Sequence, residues 1–236
     1  MDTLDYIIKK YSVDPVRSKI SEMSADLLPT NRTSNGVDPE GKLPIEIPNA
    51  GKDDLAKLLH ELDFKIGVEV GVAEGKYSKK LCEANPQMKI YGVDAWKVYG
   101  NYVEYFAETL DSLYEQAKEN LASFPNYEII KEFSMNAVKR FEDNSLDFVY
   151  IDANHENPYI TEDITEWSKK VRPGGIVSGH DYFRYRGKNG NLYNVIEATH
   201  KYTKENNIKP WFVLGLLAKI PGLVRDPVRS WFWVKP

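Results

Sequence analysis

From residue 51 onwards, the apolar positions of the chain change regularly between a helical and an extended spacing. Helical spacing predicts helices over 55–62, 78–84, 102–123, 135–141, 159–171 and 195–206. Short apolar runs predict strands over 66–70, 89–93, 128–130, 146–151 and 175–178. Strands that alternate with helices indicate a mostly parallel sheet covered by helices on both faces. The pattern therefore predicts an α/β fold.

The last two predicted strands, 211–217 and 230–234, have no helix between them. We expect them to pair as an antiparallel, hairpin-like edge, with Pro221 and Gly222 in the connecting turn. The last strand of an otherwise parallel sheet would then run antiparallel to its neighbours.

The first 50 residues follow a different pattern. Weak helical spacing within 2–25, such as Leu4, Ile7 and Tyr11, predicts two short helices, and the Pro- and Gly-rich stretch 28–51 predicts a linker or a loop over the core. The length of 236 residues fits one domain with an extension. We expect an N-terminal extension over 1–50 and one main domain over 51–236.

Charge and composition exclude several classes of protein. The 31 basic and 35 acidic residues are interleaved and give a net charge of −4, so there is no basic stripe of the kind that binds nucleic acid. The single Cys82 excludes an internal disulfide and a CxxC metal site. The start of the chain does not resemble a secretory signal, and the apolar stretch 211–224 is too short to span a membrane. We expect a cytoplasmic protein without nucleic-acid or membrane partners.

Ligands of such sheets bind at the carboxyl ends of the strands, and the first strand ends in an unusual run, Gly67–Gly75. Gly71 and Gly75 allow a tight bend and a close approach of the backbone to a ligand, and Glu69 can accept hydrogen bonds from a cationic or N–H-bearing ligand. The glycine spacing does not fit the dinucleotide fingerprint. A plain strand-to-helix turn is the alternative interpretation.

Asp94 ends the second strand, 25 residues after Glu69. A carboxylate at this place is well set to bind two ribose hydroxyls, as in dinucleotide sites, and it is equally typical of a helix N-cap. Both interpretations stay open.

The next two strand ends carry the strongest chemical pattern. Asp152 ends one strand and His155 follows it, while His180 and Asp181 end the neighbouring strand. The two strands would deliver all four side chains into one crevice, where two carboxylates and two imidazoles can hold a divalent cation or move protons.

Together, the run Gly67–Gly75, Asp94 and the phrases FVYIDANHE (148–156), VRPGG (171–175) and GHDY (179–182) resemble a class I S-adenosylmethionine-dependent methyltransferase. They are similar to a bacterial O-methyltransferase family that modifies small molecules and sugars. The resemblance covers residues 51–236 and implies a Rossmann-like, seven-stranded sheet with an antiparallel last strand.

The resemblance also implies roles for single residues. Glu69, Gly71 and Gly75 would lie under the amino-acid part of the cofactor, Asp94 would bind its ribose, and Ser134 and Met135 would contact its adenine side. Asp152 would belong to the cofactor-binding residues as well. By analogy with cation-dependent O-methyltransferases, Asp152, His180 and Asp181 would hold a divalent cation such as Mg²⁺ or Mn²⁺. His155 falls at the position of the general base, which is usually Lys, with His180 as the competing base. A carboxylate is more usual at position 180, and this departure weakens the case for Mg²⁺.

Two further groups of residues bear on the acceptor. Aromatic residues crowd the segment after the second strand: Trp96, Tyr99, Tyr102, Tyr105 and Phe106. Either Tyr102, Tyr105 and Phe106 form the packed stripe of a helix, or the group forms a lid or a stacking wall for a sugar or an aromatic acceptor. Arg184, Arg186 and Lys188 form either a solvated loop or a binding site for an acidic acceptor such as a nucleotide sugar.

These observations predict an S-adenosylmethionine-dependent O-methyltransferase that acts on a hydroxyl of a small molecule, sugar, nucleotide sugar or natural product, with the help of a divalent cation. A homo-oligomer is compatible with the sequence. Two other functions remain: a nicotinamide-dependent oxidoreductase, which the glycine spacing disfavours, and a non-catalytic scaffold that binds the cofactor, which the Asp and His set disfavours.

Overall fold

A computed structural model of the chain describes residues 1–13, 44–98, 107–186, 190, 192–216 and 219–236. Its strands are β1 (Ile45–Ile47), β2 (Ile66–Val70), β3 (Lys89–Val93), β4 (Tyr127–Ile130), β5 (Leu146–Ile151), β6 (Val171–Gly179), β7 (Phe212–Leu214) and β8 (Trp231–Val234). Its helices are α1 (Thr3–Tyr11), α2 (Lys52–Glu61), α3 (Lys76–Ala84), α4 (Ala107–Leu121), α5 (Ser134–Ala137), α6 (Tyr159–Lys170) and α7 (Val195–Glu205), and a 3₁₀ turn, Val138–Arg140, follows α5.

The strands form one sheet in the order β1-β7-β8-β6-β5-β2-β3-β4. The predicted α/β class and the mostly parallel sheet are confirmed. From β2 the chain continues on one side through β3 and β4, and then crosses to the other side with β5. The carboxyl ends of β2 and β5 therefore lie at a topological switch point, where sheets of this kind bind ligands.

The predicted antiparallel last strand is confirmed, but the sequence did not predict its position in the sheet. β8 runs antiparallel to both β6 and β7 and lies between them. Pro221 and Gly222 form a turn in the connection, as expected.

The sheet has eight strands where the sequence predicts seven. The additional strand β1 pairs parallel to β7 at the edge, within the stretch that the sequence assigns to a linker or loop. Ile45 and Ile47 are buried and flank Glu46, the alternation of a half-buried strand. The sequence did not predict this strand, because three residues are too few to show a period and because the surrounding prolines and glycines indicate a loop.

The two faces of the sheet carry separate apolar clusters, which β5 joins. All six residues of β5 are buried. Phe148 and Tyr150 pack on the face covered by α1, α2 and α3, and Val149 and Ile151 pack on the face covered by α6 and α7. The helix α1 belongs to the first face, since Ile7 is fully buried there and the hydroxyl of Thr3 donates to the carbonyl of Gly174 at 2.7 Å.

The predicted helices and the described ones differ mainly at their ends. The segment predicted as a helix over 135–141 is α5 followed by the 3₁₀ turn, and the described part of the helix predicted over 102–123 is α4. The second weak helical pattern before residue 25 lies outside the described residues. Within the described residues, no helix has the length and apolar character needed to cross a bilayer.

Candidate active site at the carboxyl ends of the strands

A cavity of about 950 Å³ opens at the carboxyl ends of β2, β3, β4 and β5. Its wall contains side chains or backbone from every predicted strand end: Glu69, Gly71, Asp94, Ser134, Met135, Asp152, His155 and Asp181. The volume suits a ligand of the size of a nucleoside derivative. The residues predicted from four separate stretches of sequence therefore share one site.

The loop after β2 bends where the sequence places its glycines. Gly71 has a φ of 91°, and a Cβ at this position would overlap the carbonyl oxygen of Asp152. Gly75 has a φ of 80° and directly precedes α3. The prediction of a tight turn holds, and Gly71 is required because the end of β5 passes so close to the loop.

Glu69 is 1% exposed and lies in the floor of the cavity. Its Oε2 accepts hydrogen bonds from the hydroxyls of Ser78 and Tyr127, the latter at 2.9 Å. The Tyr127 hydroxyl reaches this place only because residue 92 is glycine, since a Cβ there would overlap it. Burial raises the pKa of Glu69 to about 8, although both hydroxyls oppose the shift.

Asp94 connects two loops of the cavity wall. Its Oδ2 accepts from the backbone N–H groups of Val72 and Ala73 at 3.0 and 3.1 Å, and its Oδ1 accepts from the N–H of Trp96 at 2.8 Å. Burial raises the pKa of Asp94, and these N–H donors oppose the shift. Residues 95–98 are not helical, so the carboxylate does not cap a helix at this point. Asp94 also lines the cavity, so its carboxyl group borders the space that a ligand would fill.

Asp152, His155, His180 and Asp181 do meet in one crevice. Nε2 of His155 lies 2.9 Å from Oδ2 of Asp181 and 3.5 Å from Oδ1 of Asp152. Nδ1 of His180 lies 3.6 Å from Oδ2 of each aspartate. His155 is therefore closer to the carboxylates than His180, which the sequence pairs with them as a cation ligand.

The imidazoles of His155 and His180 are buried, but most of their ring nitrogens have no hydrogen-bond partner among the residues that the structure describes. Both ring nitrogens of His155 and Nε2 of His180 lack a hydrogen bond of good geometry within the described residues. Buried polar atoms without a hydrogen-bond partner are uncommon and mark places where a ligand completes the structure.

The charges of the crevice hold a proton on His155. Burial by itself would lower the pKa of His155, yet the negative charges of Asp181 and Asp152 outweigh it and raise this pKa to about 10. Burial would likewise raise the pKa of Asp181, but His155 and His180 hold it well below its ordinary value. The pKa of His180 is also raised, by the same two aspartates.

The residues present fit a divalent cation. One ligand atom each of Asp152, His155 and Asp181 lies within 4.8 Å of the others. Carboxylate oxygens with an imidazole nitrogen suit Mn²⁺ or Zn²⁺ better than Mg²⁺, which prefers oxygen ligands. The unsatisfied nitrogens of His155 support the same interpretation.

On the β4 side of the cavity, Ser134 and Met135 lie where the sequence predicts. The hydroxyl of Ser134 accepts from Nε1 of Trp167 at 2.8 Å and donates to Oδ1 of Asp163. Asp163 also lines the cavity and was not singled out from the sequence. It lies inside the apolar stripe of α6, and a polar residue among apolar helix positions is the signal that could have found it.

A wall of aromatic side chains follows Asp181. The ring of Tyr193 lies 4.8 Å from the ring of His155, and Tyr185 and Phe183 pack against Tyr193 at 5.0 and 6.2 Å. All three line the cavity, and Tyr185 is 44% exposed. The aromatic wall that the sequence offers lies at Trp96, which also lines the cavity, and in the segment 99–106.

Of that earlier group, Trp96 is 2% exposed and packs with Leu110 and Leu121, and its Nε1 donates to the carbonyl of Ala73. Trp96 is therefore packed against the core as well as exposed to the cavity, while Tyr99, Tyr102, Tyr105 and Phe106 lie outside the described residues.

The basic residues of the same loop have partners in the chain. Arg184 pairs with Glu197 at 3.3 Å, and Arg186 donates to the carbonyl of Gly190 at 2.9 Å. Lys188 lies outside the described residues. These contacts favour the interpretation of a surface loop over a site for an acidic acceptor.

Comparison with known proteins identifies the domain. Residues 68–182 match a protein-family model described as a methyltransferase domain. No curated protein matches the sequence.

Solved structures are similar in fold. An O-methyltransferase from Bacillus cereus in complex with SAH has a TM-score of 0.54 at 15% identity, over 99% of this chain and 90% of that one. A "putative caffeoyl-CoA O-methyltransferase" from Staphylococcus aureus has a TM-score of 0.56 at 13% identity, over 97% and 91%. A precorrin-6y C5,15-methyltransferase from Geobacter metallireducens has a TM-score of 0.50 at 11% identity, over 78% and 87%. At these identities the likeness shows the fold and does not decide the acceptor.

Proposed function

Because this chain carries the domain of a class I S-adenosylmethionine-dependent methyltransferase, we propose that it methylates a hydroxyl oxygen of a small-molecule acceptor with the help of a divalent cation. The observation that carries the proposal is that Nε2 of His155 lies 2.9 Å from Oδ2 of Asp181 and 3.5 Å from Oδ1 of Asp152 at the cavity wall. Two carboxylates and an imidazole at this place suit the activation of a hydroxyl. Neither the fold nor the cofactor loop requires such a cluster.

The cofactor side of the cavity consists of residues held in place before a ligand enters. When bound, S-adenosylmethionine supplies a sulfonium methyl group, whose transfer to a hydroxyl oxygen leaves the electrons of the broken carbon–sulfur bond on sulfur. Glu69 would hold the amino-acid part with its hydroxyl partner Tyr127 already fixed, and Asp94 would bind the ribose hydroxyls from the cavity wall. Backbone bent at Gly71 allows the ligand to approach closely.

The cation site is proposed between Asp152 and Asp181. When bound, a divalent cation lowers the pKa of a hydroxyl that it touches, so that less basic groups can deprotonate it. The sequence adds His180 as the third ligand, and the distances make His155 an alternative third group, since it lies closer to both carboxylates.

His155 is the proposed general base. It lines the cavity, whereas His180 is not among the residues of the cavity wall. A base must take up the hydroxyl proton as the oxygen forms its bond to the methyl carbon, and His155 does so only when its own proton has left. That proton is held by the charge of Asp181, so engagement of this carboxylate by another cation favours the basic form of His155.

The acceptor is proposed to be a planar or ring-shaped molecule. Phe183, Tyr185 and Tyr193 form a wall next to His155 against which an aromatic ring or the C–H face of a sugar can pack. The partners found for Arg184 and Arg186 argue against a strongly acidic acceptor. The cytoplasmic location and a homo-oligomeric state stay predictions from the sequence.

The proposal is tested by methyl transfer from radiolabelled S-adenosylmethionine to a panel of catechols, free sugars and nucleotide sugars, after chelation and after addition of Mn²⁺, Mg²⁺ or Zn²⁺. We expect a methyl ether on one acceptor class, lost on chelation and restored by one of the cations. The variants Asp152→Asn and Asp181→Asn should abolish the response to cations. Asp143→Asn, which removes an exposed carboxylate that pairs with Lys170, serves as the control.

Two outcomes would contradict the proposal at different points. Full activity after exhaustive chelation would exclude the cation and leave acid–base catalysis alone. Transfer to nitrogen, sulfur or carbon, with no hydroxyl of the panel methylated, would contradict the assignment as an O-methyltransferase.

A further inference from the structure

Asp181, one of the two aspartates of the crevice, has an uncommon backbone conformation. Its φ is 56°, which places this residue in the left-handed region, two residues after the end of β6. Residues other than glycine enter this region at a cost in free energy, and they stay there only where the surrounding structure holds them. The direction of the Asp181 side chain therefore depends on what holds the peptide groups on either side of it.

Both of these peptide groups are held by β8 and the residues that lead into it. The carbonyl of His180, in the peptide group before Asp181, accepts a hydrogen bond from Nε1 of Trp231 at 3.0 Å. The backbone N–H of Tyr182, in the peptide group after Asp181, donates to the carbonyl of Arg229 at 3.0 Å. Because φ and ψ describe how these two planar groups are turned about the Cα atom of Asp181, the two hydrogen bonds together set the direction of its side chain.

The indole of Trp231 reaches the carbonyl of His180 across a glycine. Trp231 is fully buried and pairs with Gly179 between β8 and β6. A Cβ on Gly179 would overlap the indole, so the ring crosses β6 where only glycine leaves room for it. Trp231 does not belong to the cavity wall, so any effect that it has on the reaction must pass through the backbone next to Asp181.

We propose that Trp231 is a positioning residue, whose indole N–H fixes the peptide group before Asp181 and thereby directs the Asp181 carboxylate towards the divalent cation. The inference rests on the cation site of the proposed function and adds to it a residue outside the cavity. Removal of a group that holds a metal ligand in place typically weakens metal binding by about tenfold to a hundredfold. A residue that only fills the core would change stability and leave the affinity for the cation unchanged.

The test compares Mn²⁺ binding by the wild-type protein and by Trp231→Phe, measured from the paramagnetic resonance signal of free Mn²⁺ at a temperature where both proteins are folded. Phe keeps an aromatic ring in the core and removes the N–H donor. The dissociation constant for Mn²⁺ should therefore rise by about tenfold. The affinity for S-adenosylhomocysteine, measured by calorimetry, should not change, because the cofactor loop after β2 keeps its hydrogen bonds.

Trp233→Phe is the matched control. Trp233 is 1% exposed, lies on the same strand and stacks on Trp231 at 5.1 Å, so the same substitution removes the same volume from the same apolar cluster. It pairs with Val177 inside β6 rather than with the end of that strand. Trp233→Phe should lose stability as Trp231→Phe does and keep the wild-type affinity for Mn²⁺.

A second replacement covers the case in which Trp231→Phe does not fold. Benzothienylalanine at position 231 has the ring shape of tryptophan with sulfur in place of the N–H group, so it removes the donor and keeps the packing. We expect the same weakening of Mn²⁺ binding as for Trp231→Phe.

Three outcomes would overturn the inference. Equal Mn²⁺ affinities in Trp231→Phe and Trp233→Phe, or wild-type affinity with benzothienylalanine, would make Trp231 a core residue only. A parallel loss of Mn²⁺ and S-adenosylhomocysteine binding in Trp231→Phe would show general damage to the site instead of a displaced Asp181. A wild-type protein that does not bind Mn²⁺ would overturn the cation site of the proposed function, and the inference with it.

Discussion

Two clusters of ionisable side chains lie along the same edge of the sheet, and they differ in how their polar atoms are satisfied. At the ends of β2 and β3, the carboxyl groups of Glu69 and Asp94 accept hydrogen bonds from hydroxyl and backbone N–H groups of the chain itself. At the ends of β5 and β6, His155 and His180 lie beside two aspartates but keep buried nitrogens without well-directed hydrogen bonds.

This difference suggests that the cluster at the ends of β2 and β3 holds the cofactor loop in shape, and that the cluster at the ends of β5 and β6 is the reactive centre. Carboxylates bonded to their own chain fix the shape of the cofactor loop before any ligand arrives, which lowers the ordering cost of binding. Charged groups that lie close together with unmade hydrogen bonds favour the binding of a ligand or cation between them. We therefore expect substitutions in the first cluster to change stability and affinity, and substitutions in the second to change turnover.

The largest expected effect is on turnover. His155→Ala should lower kcat by about 10²–10⁴-fold, the usual contribution of a general base, with little change in the affinity for S-adenosylhomocysteine. Rates with a hydroxyl acceptor and calorimetry of the cofactor product measure the two quantities. His155→Lys should keep part of the activity, with a pH profile close to that of the wild type, because Asp181 and Asp152 already raise the pKa of His155 to about 10 and the reference pKa of Lys is about 10.4.

His180→Ala is the matched variant for that comparison. If it abolishes turnover at every cation concentration while His155→Ala leaves turnover intact, the roles of the two imidazoles must be exchanged. A loss in His180→Ala that excess cation repairs would instead support a ligand role for His180.

The next effect concerns stability and its dependence on pH. The pKa of Glu69 is raised from 4.5 to about 8 by burial, so the folded protein holds a proton that the unfolded chain releases. Stabilisation by this proton is complete below pH 4.5 and is lost as the pH rises to about 8. Glu69→Gln should remove this slope and make the variant more stable than the wild type above pH 8 by a few kcal/mol, at about 1.4 kcal/mol per pKa unit.

Urea unfolding at several pH values between 5 and 9 measures this difference. Equal pH slopes for the two proteins would show that Glu69 is ionised at every pH tested. Glu69 would then be a charged group like the aspartates at the ends of β5 and β6.

The smallest effect is expected for Asp94. Asp94→Ala should weaken S-adenosylmethionine about ten- to a hundredfold, because charge-assisted hydrogen bonds to the ribose are lost. The same substitution should lower the free energy of unfolding by about 1–2 kcal/mol, because three backbone N–H groups lose their acceptor. Asp94→Asn keeps one side-chain acceptor oxygen and should restore much of the stability. Calorimetric titration with an unchanged affinity would exclude the ribose-binding role.

The fold was predictable from the sequence wherever a segment was long enough to show its period. The buried run of β5 and the alternation of strands and helices lead directly to the parallel sheet and its switch point. The three residues of β1 are too few for a period, and their place at the sheet edge depends on pairing with β7, more than 160 residues later in the chain.

The site was predictable at the strand ends and less so elsewhere. Asp152, His155, His180 and Asp181 follow two strands directly, and parallel strands bring their ends together. Asp163 and Tyr193 reach the cavity from the helix α6 and from the loop before α7, and only tertiary packing reveals their direction. Which imidazole approaches the carboxylates more closely depends on side-chain rotation, which residue spacing does not specify.

The edge strand β1 sets how far the N-terminal part of the chain can be shortened. Glu46 of β1 pairs at 2.8 Å with Arg229, which is 1% exposed, and the backbone carbonyl of Arg229 accepts from Tyr182, the neighbour of Asp181. A shortened protein that begins at residue 51 would leave the Arg229 charge without Glu46 and would expose the pairing edge of β7. We expect it to self-associate and precipitate more than a protein that begins at residue 44, which covers this edge although it also lacks α1, and size-exclusion chromatography compares the two.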